Sequence, residues 1–379
     1  MSKTVRINKG VDIRLTGEPS LQCAEAPQPT EVAIQPTDFP GLTPKLAVKE
    51  GDPVKAGQAL FYDKTYTSVM FASPVSGSVK EVVRGAKRRI LAVVVEANGS
   101  DSAVDFGAWN GGDRDALVAH LAAGGAFATM RQRPFDVLAN PADTPRAIYV
   151  SGFDSAPLAV DTGLATEGRM DDLQRGIDAL GVLAGQGGVH VGTRAGDNTL
   201  AGLNGCSTTS FNGPHPAGNV GVQIHHTAPI NKGEVVWTMG LQDVINLGSF
   251  LRTGRYTAAR VVALGGSEMN DPRHIRTVAG AKLSDLGVQA NAGARVISGS
   301  VLTGTSAGTE GYLGAFATQV VALPEGHDPK FLLTEGWLSP GLNKFSMSRA
   351  YPTWLMPKSK QYTLDTNQNG EDRAFVVSG

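Results

Sequence analysis

The chain has 379 residues, more than one hydrophobic core usually organises, which favours two to four domains. Its hydrophobic fraction of 41% and charged fraction of 18% exclude wholesale disorder, and a formal net charge of -1 provides no overall field to draw nucleic acid. The 47 glycines and 21 prolines follow no period and predict many tight turns and short strands, while Cys23 and Cys206 alone exclude a disulfide framework, a zinc ribbon and a four-thiolate iron cluster.

In chain order, Met1 to Gly17 alternates basic and apolar residues (Arg6, Ile7, Lys9, Val11, Ile13, Leu15), with no continuous apolar segment or small-residue cleavage site. It reads as a strand, not a signal. No run approaches the roughly 20 apolar residues that span a bilayer, so any membrane role must go through docking. From Leu46 to Val83 the turn pairs Gly51-Asp52, Gly57-Gln58 and Ser76-Gly77 separate short Val- and Leu-containing strands. This pattern resembles the biotinyl/lipoyl barrel-sandwich, in which such pairs make sharp turns and alternating apolar residues fill a flattened barrel. Carrier domains of that fold present a lysine at a hairpin tip; here Lys64 is displaced toward the preceding strand, which speaks against a modified lysine. Arg84, Lys87, Arg88 and Arg89 then cluster before the apolar strand Ile90 to Val95. Such runs are usually solvated turns; the alternative is contact with anionic lipid headgroups or with an acidic surface of a neighbouring subunit.

Leu117, Val118, Leu121 and Ala122 recur at helical spacing between Asp113 and Gly124-Gly125, predicting about three helical turns. Residues 147–152 read as a buried strand, Met170 to Leu183 as an amphipathic helix and Gly188 to Gly192 as a second strand, which together imply a doubly wound α/β unit. A helix over Leu241 to Leu251, closed by Gly254, leads into the buried strand Arg260 to Gly266. Beyond it, short strands, a helical stretch near Ala281 to Leu286 and the glycine-rich run Ser298 to Gly308 suggest a β-grasp of the soluble-ligand-binding type. The expected division is therefore residues 1–99 as a barrel-sandwich with an N-terminal strand, 100–257 as a Rossmann-like α/β domain and 258–326 as the β-grasp. Residues 327–379, with Trp337, Trp354 and a polar end, are expected to be a truncated C-terminal segment. Trp354 sits beside Lys358 and Lys360, a composition found in cores more often than at interfaces.

The densest chemical string is Gly213-Pro214-His215-Pro216-Ala217-Gly218, followed by Gln223-Ile224-His225-His226. Prolines fix a loop, glycines let backbone amides approach a ligand, and imidazoles can donate to or accept from a quinone or a carboxylate. Two readings stay open: a rigid binding or interface loop, or a connector whose histidines bond to backbone carbonyls. A metal site from His215, His225 and His226 is disfavoured, because adjacent histidines on a strand point to opposite faces. Gly185 to Gly192 is a poor dinucleotide fingerprint, since its glycines precede a strand and position six is His190. No Walker lysine, Gly-x-Ser-x-Gly elbow or His-Glu-x-x-His occurs, and no catalytic residue is assigned.

Taken together, Ile7 to Ile13, Gly51-Asp52, Gly57-Gln58, Arg84 to Arg88, Arg131-Gln-Arg-Pro-Phe135, Gly213 to Gly218, Ile224-His225, Gln242 to Ile245 and Arg260 to Leu264 resemble the NqrA family, one of the subunit families of sodium-translocating NADH:quinone oxidoreductases. The resemblance is loose around Asp154 to Asp197. It implies a scaffold at the cytoplasmic face of the inner membrane, docked on the other subunits and above all on the integral membrane B subunit. It also implies no firmly bound redox cofactor, quinone as a ligand, and NADH and flavins handled elsewhere in the complex. The implied quinone or interface residues are Gly213, Pro214, His215, Pro216, Gly218 and His225, and the implied partner contacts are Arg84, Lys87, Arg88 and Trp354. Related subunits that bind flavin carry a glycine-rich loop where this chain has Thr129 to Phe135, and arginine and methionine there should block a flavin phosphate. The competing readings are a flavin-dependent NADH dehydrogenase and a lipoyl or biotinyl carrier.

Overall fold

The structure, a computed structural model, describes residues 3–326, 329–331, 341–346 and 352–370. It opens with an arm carrying β1 (Lys3–Arg6) and β2 (Ser20–Glu25), neither of which joins the barrel to which the N-terminal strand was assigned. Instead β1 enters the sheet of the second domain and β2 that of the third. The segment between them is held by long-range contacts that no local pattern reports: the Val11 amide donates to the His215 carbonyl at 2.9 Å, and the Tyr362 amide to the Arg14 carbonyl at 2.8 Å. Gly10 has φ 144°, and a Cβ there would lie 2.0 Å from the His215 carbonyl oxygen, so only glycine lets the arm pass.

The barrel is built from β3 (Glu31–Ile34), β4 (Pro44–Leu46), β5 (Pro53–Val54), β6 (Ala59–Asp63), β7 (Met70–Ala72), β8 (Gly77–Arg84) and β9 (Ile90–Ala97). A four-stranded sheet β3-β9-β8-β5 faces a three-stranded sheet β4-β6-β7. Val32, Leu60, Val93 and Val95 are fully buried between them, and Phe61 stacks on Phe71 at 4.9 Å. This is the predicted barrel-sandwich.

The second domain starts with α1 (Arg114–Ala123), whose N-cap Asp113 accepts the Ala116 amide at 2.9 Å, a cap contributing about 1 kcal/mol. There follow β10 (Arg131–Arg133), β11 (Val137–Leu138), β12 (Ile148–Ser151), α2 (Thr162–Thr166) and α3 (Met170–Leu183). Next come β13 (Val189–Arg194), β14 (Ser207–Asn212), α4 (Val220–Thr227), β15 (Val236–Gly240) and α5 (Leu241–Thr253), which Gly254 closes in the left-handed conformation. The sheet order is β1-β14-β13-β12-β15-β10-β11, parallel from β1 to β15 with β10 and β11 antiparallel at the edge. Parallel strands buried on both faces account for the unbroken apolar runs of β12 and β15.

His225 and His226, read from the sequence as neighbours on a strand, instead lie in the second half of α4. Its buried positions are Gln223 and Ile224, with Val220 packed against the same cluster, a helical spacing that overrides the strand reading.

The third domain contains β16 (Ala259–Gly265), β17 (Arg273–Val278), β18 (Ala294–Ser298), β19 (Thr305–Ser306) and β20 (Gln319–Pro324), ordered β19-β18-β20-β16-β17-β2. The helical stretch predicted near residues 281–286 is a single turn of 3₁₀ helix, Ser284–Leu286.

Candidate functional site

From β12 the chain passes through α3 to β13 on one side, and it returns through α4 to β15 on the other, so the strand order reverses between β12 and β15. Open α/β sheets hold ligands in the crevice at such a point, beyond the carboxyl ends of the strands. A cleft of about 750 Å³ lies there. Its rim is formed by Ser151 to Asp154 after β12, by Met239 and Gly240 at the end of β15, and by the amino-terminal residues of α4 and α5. Neither Asn219 nor Gly240 caps its helix with a side chain.

One wall is β10 with the turn that follows it. Arg131 Nη2 lies 2.7 Å and Arg133 Nη2 3.1 Å from the two carboxylate oxygens of Asp136, and the Arg131 guanidinium stands 5.2 Å from the centre of the Phe316 ring. The Nε atoms of both arginines are buried without a hydrogen-bond partner, and burial pushes the Arg133 guanidinium below its usual pKa. The expectation for this segment is partly corrected: Met130 is buried in the core, not in the cleft, and the arginines line an open cleft. The reason is strand alternation, which sends neighbouring side chains to opposite faces.

The floor is a buried ion pair between Asp243 on α5 and Arg260 on β16, with Arg260 also donating to the Ala315 carbonyl at 2.8 Å. Burial raises the Asp243 pKa, and the Arg260 and Arg131 charges pull it back down. The third domain therefore closes a cleft that the second domain opens, adding Thr303, Phe316 and Thr318.

The loop from Gly213 to Gly218 borders this cleft on its other side. The Gly218 amide donates to Ser155 Oγ at 2.8 Å, and Ser155 Oγ lies 3.0 Å from His215 Nδ1, so one hydroxyl joins the loop backbone to the imidazole. The His215 amide donates to Asp12 at 2.9 Å, tying the loop to the arm. Gln223, fully buried, donates to Ser151 Oγ at 3.0 Å and to the Ala217 carbonyl at 3.2 Å. His215 lines a polar recess of about 860 Å³ that shares Arg131, Asp136 and Phe316 with the cleft, and in it burial raises the pKa of Asp38.

The residues singled out in the sequence thus separate. Gly218 borders the cleft and His215 the recess, while Gly213, Pro214 and Pro216 form the backbone between them and the arm. His225 is exposed on the last turn of α4, edge-on to His226 at 5.0 Å, and lines neither cavity. Arg84, Lys87 and Arg88 lie at the β8–β9 hairpin tip, and Trp354, 63% exposed, lies on the short helical turn Pro352–Leu355. Sequence reasoning missed Ser151, Ser155, Arg260 and Phe316. The available signal was the pair of strand ends followed by glycine, at Gly152 and Gly240.

Family models match in three consecutive blocks. The "NqrA N-terminal barrel-sandwich hybrid domain" covers residues 5–98, the "NqrA second alpha/beta domain" residues 112–256 and the "NQRA C-terminal domain" residues 261–308. The chain is 38% identical over 384 residues to the NqrA subunit of the Na(+)-translocating NADH-quinone reductase of Hahella chejuensis (strain KCTC 2396), covering 99% of this chain and 85% of that relative. The chain belongs to the NqrA family. Subunits of the same description from Aliivibrio salmonicida (strain LFI1238) and Neisseria meningitidis serogroup C are each 37% identical, over 99% of this chain and 84% and 85% of theirs. The NqrA barrel and α/β blocks coincide with the two sheets and the doubly wound domain described above, and the fold class expected from the sequence holds.

Proposed function

We propose that this chain is the peripheral NqrA subunit of a sodium-translocating NADH:quinone reductase, a scaffold with no firmly bound redox cofactor that offers quinone a site in the cleft between its second and third domains. The names of its relatives support the assignment to that complex, whose other subunits are then its partners. No helix of the described residues is long and apolar enough to cross a membrane, which favours attachment through an integral membrane partner, the expected B subunit, at the cytoplasmic face.

The observation that carries the quinone reading is the charge balance of the cleft. Arg131, Arg133 and Arg260 are matched by Asp136, Asp154 and Asp243, and Phe153, Met239 and Phe316 add apolar surface. A quinone is planar and neutral, with two carbonyl acceptors, and the guanidinium groups of the arginines that line the cleft are donors of the matching kind. A flavin or nicotinamide nucleotide brings phosphates, which call for cations not already matched by carboxylates. The NADH dehydrogenase reading is weaker for that reason, and nothing about Lys64 favours a carrier.

Calorimetric titration of the isolated chain with a short-chain ubiquinone analogue should give saturable binding, weakened about fivefold by Phe316→Ala, given an aromatic contribution of roughly 1 kcal/mol. Absence of saturable binding, or a stoichiometric yellow flavin in the purified chain, would overturn the reading. In the assembled complex, His215→Ala should alter quinone reduction or assembly while leaving the isolated chain folded. Unchanged turnover and assembly would remove the 213–218 loop from the site.

A further inference from the structure

The tip of the β8–β9 hairpin exposes Arg84, Lys87, Arg88 and Arg89. Its turn is closed by the Arg88 amide donating to the Gly85 carbonyl at 3.1 Å and the Arg89 amide to the Ala86 carbonyl at 3.2 Å. Lys87 and Arg88, at the centre of the second bond, have φ of 54° and 61°. Hairpins with two successive left-handed residues favour Asn-Gly or Gly-Gly, because a Cβ in that conformation crowds the following carbonyl. Here two cations occupy the strained positions, and nothing within the fold compensates. Arg84 reaches only the Arg88 carbonyl, at 3.2 Å, while the side chains of Lys87, Arg88 and Arg89 have no bonded partner among the described residues. The exposed large hydrophobic residues of the described chain all lie elsewhere.

We propose that this hairpin tip is an electrostatic contact for an anionic bilayer surface. A protein interface is organised around an apolar, charge-poor centre, which the tip lacks, whereas a layer of anionic headgroups is bound by clustered lysine and arginine through charge alone. Because the whole chain carries a net charge of only -1, the attraction belongs to the tip and reaches about 8 Å at physiological salt. It is independent of what the cleft binds, since none of the four residues lines the cleft or the recess.

The test is flotation of the full chain with vesicles of phosphatidylcholine alone or mixed with phosphatidylglycerol, at low and high salt. The parent chain should float only with the phosphatidylglycerol vesicles and only at low salt. The double variant Lys87→Asn/Arg88→Gly removes two charges while installing the favoured turn, so it should lose on the order of thirtyfold in affinity with an unchanged or higher melting temperature. Equal binding by the variant, binding to phosphatidylcholine alone, or no binding by the parent at low salt would overturn the proposal. So would a lipid-independent association with detergent-solubilised partner subunits that the variant loses, because the tip would then be a protein contact.

Discussion

Asp243 and Arg260 are 17 positions apart and come from different domains, yet they are only 6% and 4% exposed where they meet. A pair enclosed in this way is costly to break, because removing one partner leaves the other charge buried and unmatched. Asp243→Ala should therefore destabilise the chain by about 3–5 kcal/mol in chemical denaturation, and replacing both residues by apolar ones of similar volume should recover most of that loss. A single variant as stable as the parent would mean that water reaches the pair. Gly218 makes a different demand, since a Cβ there would sit 2.5 Å from the Ser155 amide nitrogen and 2.9 Å from its hydroxyl. Gly218→Ala should displace the Ser155–His215 contact at a cost of about 1–3 kcal/mol, read as a lower thermal midpoint together with weaker quinone binding. Sequence reasoning reached Gly218 through the company of prolines and histidines around it. It could not reach Ser155, because an isolated serine acquires meaning only from the amide and imidazole that the fold brings to its oxygen.

Among the elements, α3 and α5 pack most intimately. A Cβ on Gly248 would lie 1.8 Å from the Asp172 carbonyl oxygen, and one on Gly176 would lie 2.3 Å from that of Val244. Two glycines facing each other's backbones bring the helix axes close, and Arg252 then bridges them, with Nε 2.7 Å and Nη2 3.1 Å from the two Asp172 oxygens. Gly248→Ala should force the helices apart and cost about 2 kcal/mol or more in spite of alanine's better helix propensity, whereas alanine at Gly181, where no atom lies within 4 Å, should stabilise α3 by about 0.5–1 kcal/mol. Denaturation of the two variants side by side checks both signs at once. Both helices were legible from apolar spacing and from Gly254 as a stop. The short α4 was misread, because in eight residues a helical period is hard to tell from alternation.

For the molecule as a whole, Glu31 is a charged tie between the barrel and the third domain, beside the Thr30–Asp285 and Asp38–Ala315 hydrogen bonds. Lys80 lies 2.6 Å from one of the Glu31 carboxylate oxygens, and the Tyr312 hydroxyl donates to the other at 2.9 Å, with Lys282 4.0 Å away. The hydrogen bond from Lys80 is the main reason its pKa is depressed below 4.5, with burial opposing, while burial and the bond to Glu31 push the Tyr312 phenol upward. A depressed carboxylate stabilises the folded state fully above its unfolded pKa, and the contribution is lost as pH falls through the folded value. The melting temperature of the parent chain should thus fall more steeply below about pH 4.5 than that of Glu31→Gln, the two curves converging in acid. Parallel curves would show that this tie does not couple the domains.

The amino-acid sequence by itself determined the local content of this protein: the turn pairs of the barrel, the apolar runs of the parallel strands, the caps of the longer helices, and the motifs that mark the family. These depend on neighbours within a few residues, where periodicity and backbone preference act directly. Tertiary structure alone decided that the first two strands leave the barrel for two other sheets, that His225 parts from His215, and that Arg131, Asp243, Arg260 and Phe316 face a single cleft. Each of those outcomes depends on packing between segments up to hundreds of residues apart, and the energies that select them arise only once the domains have closed on one another.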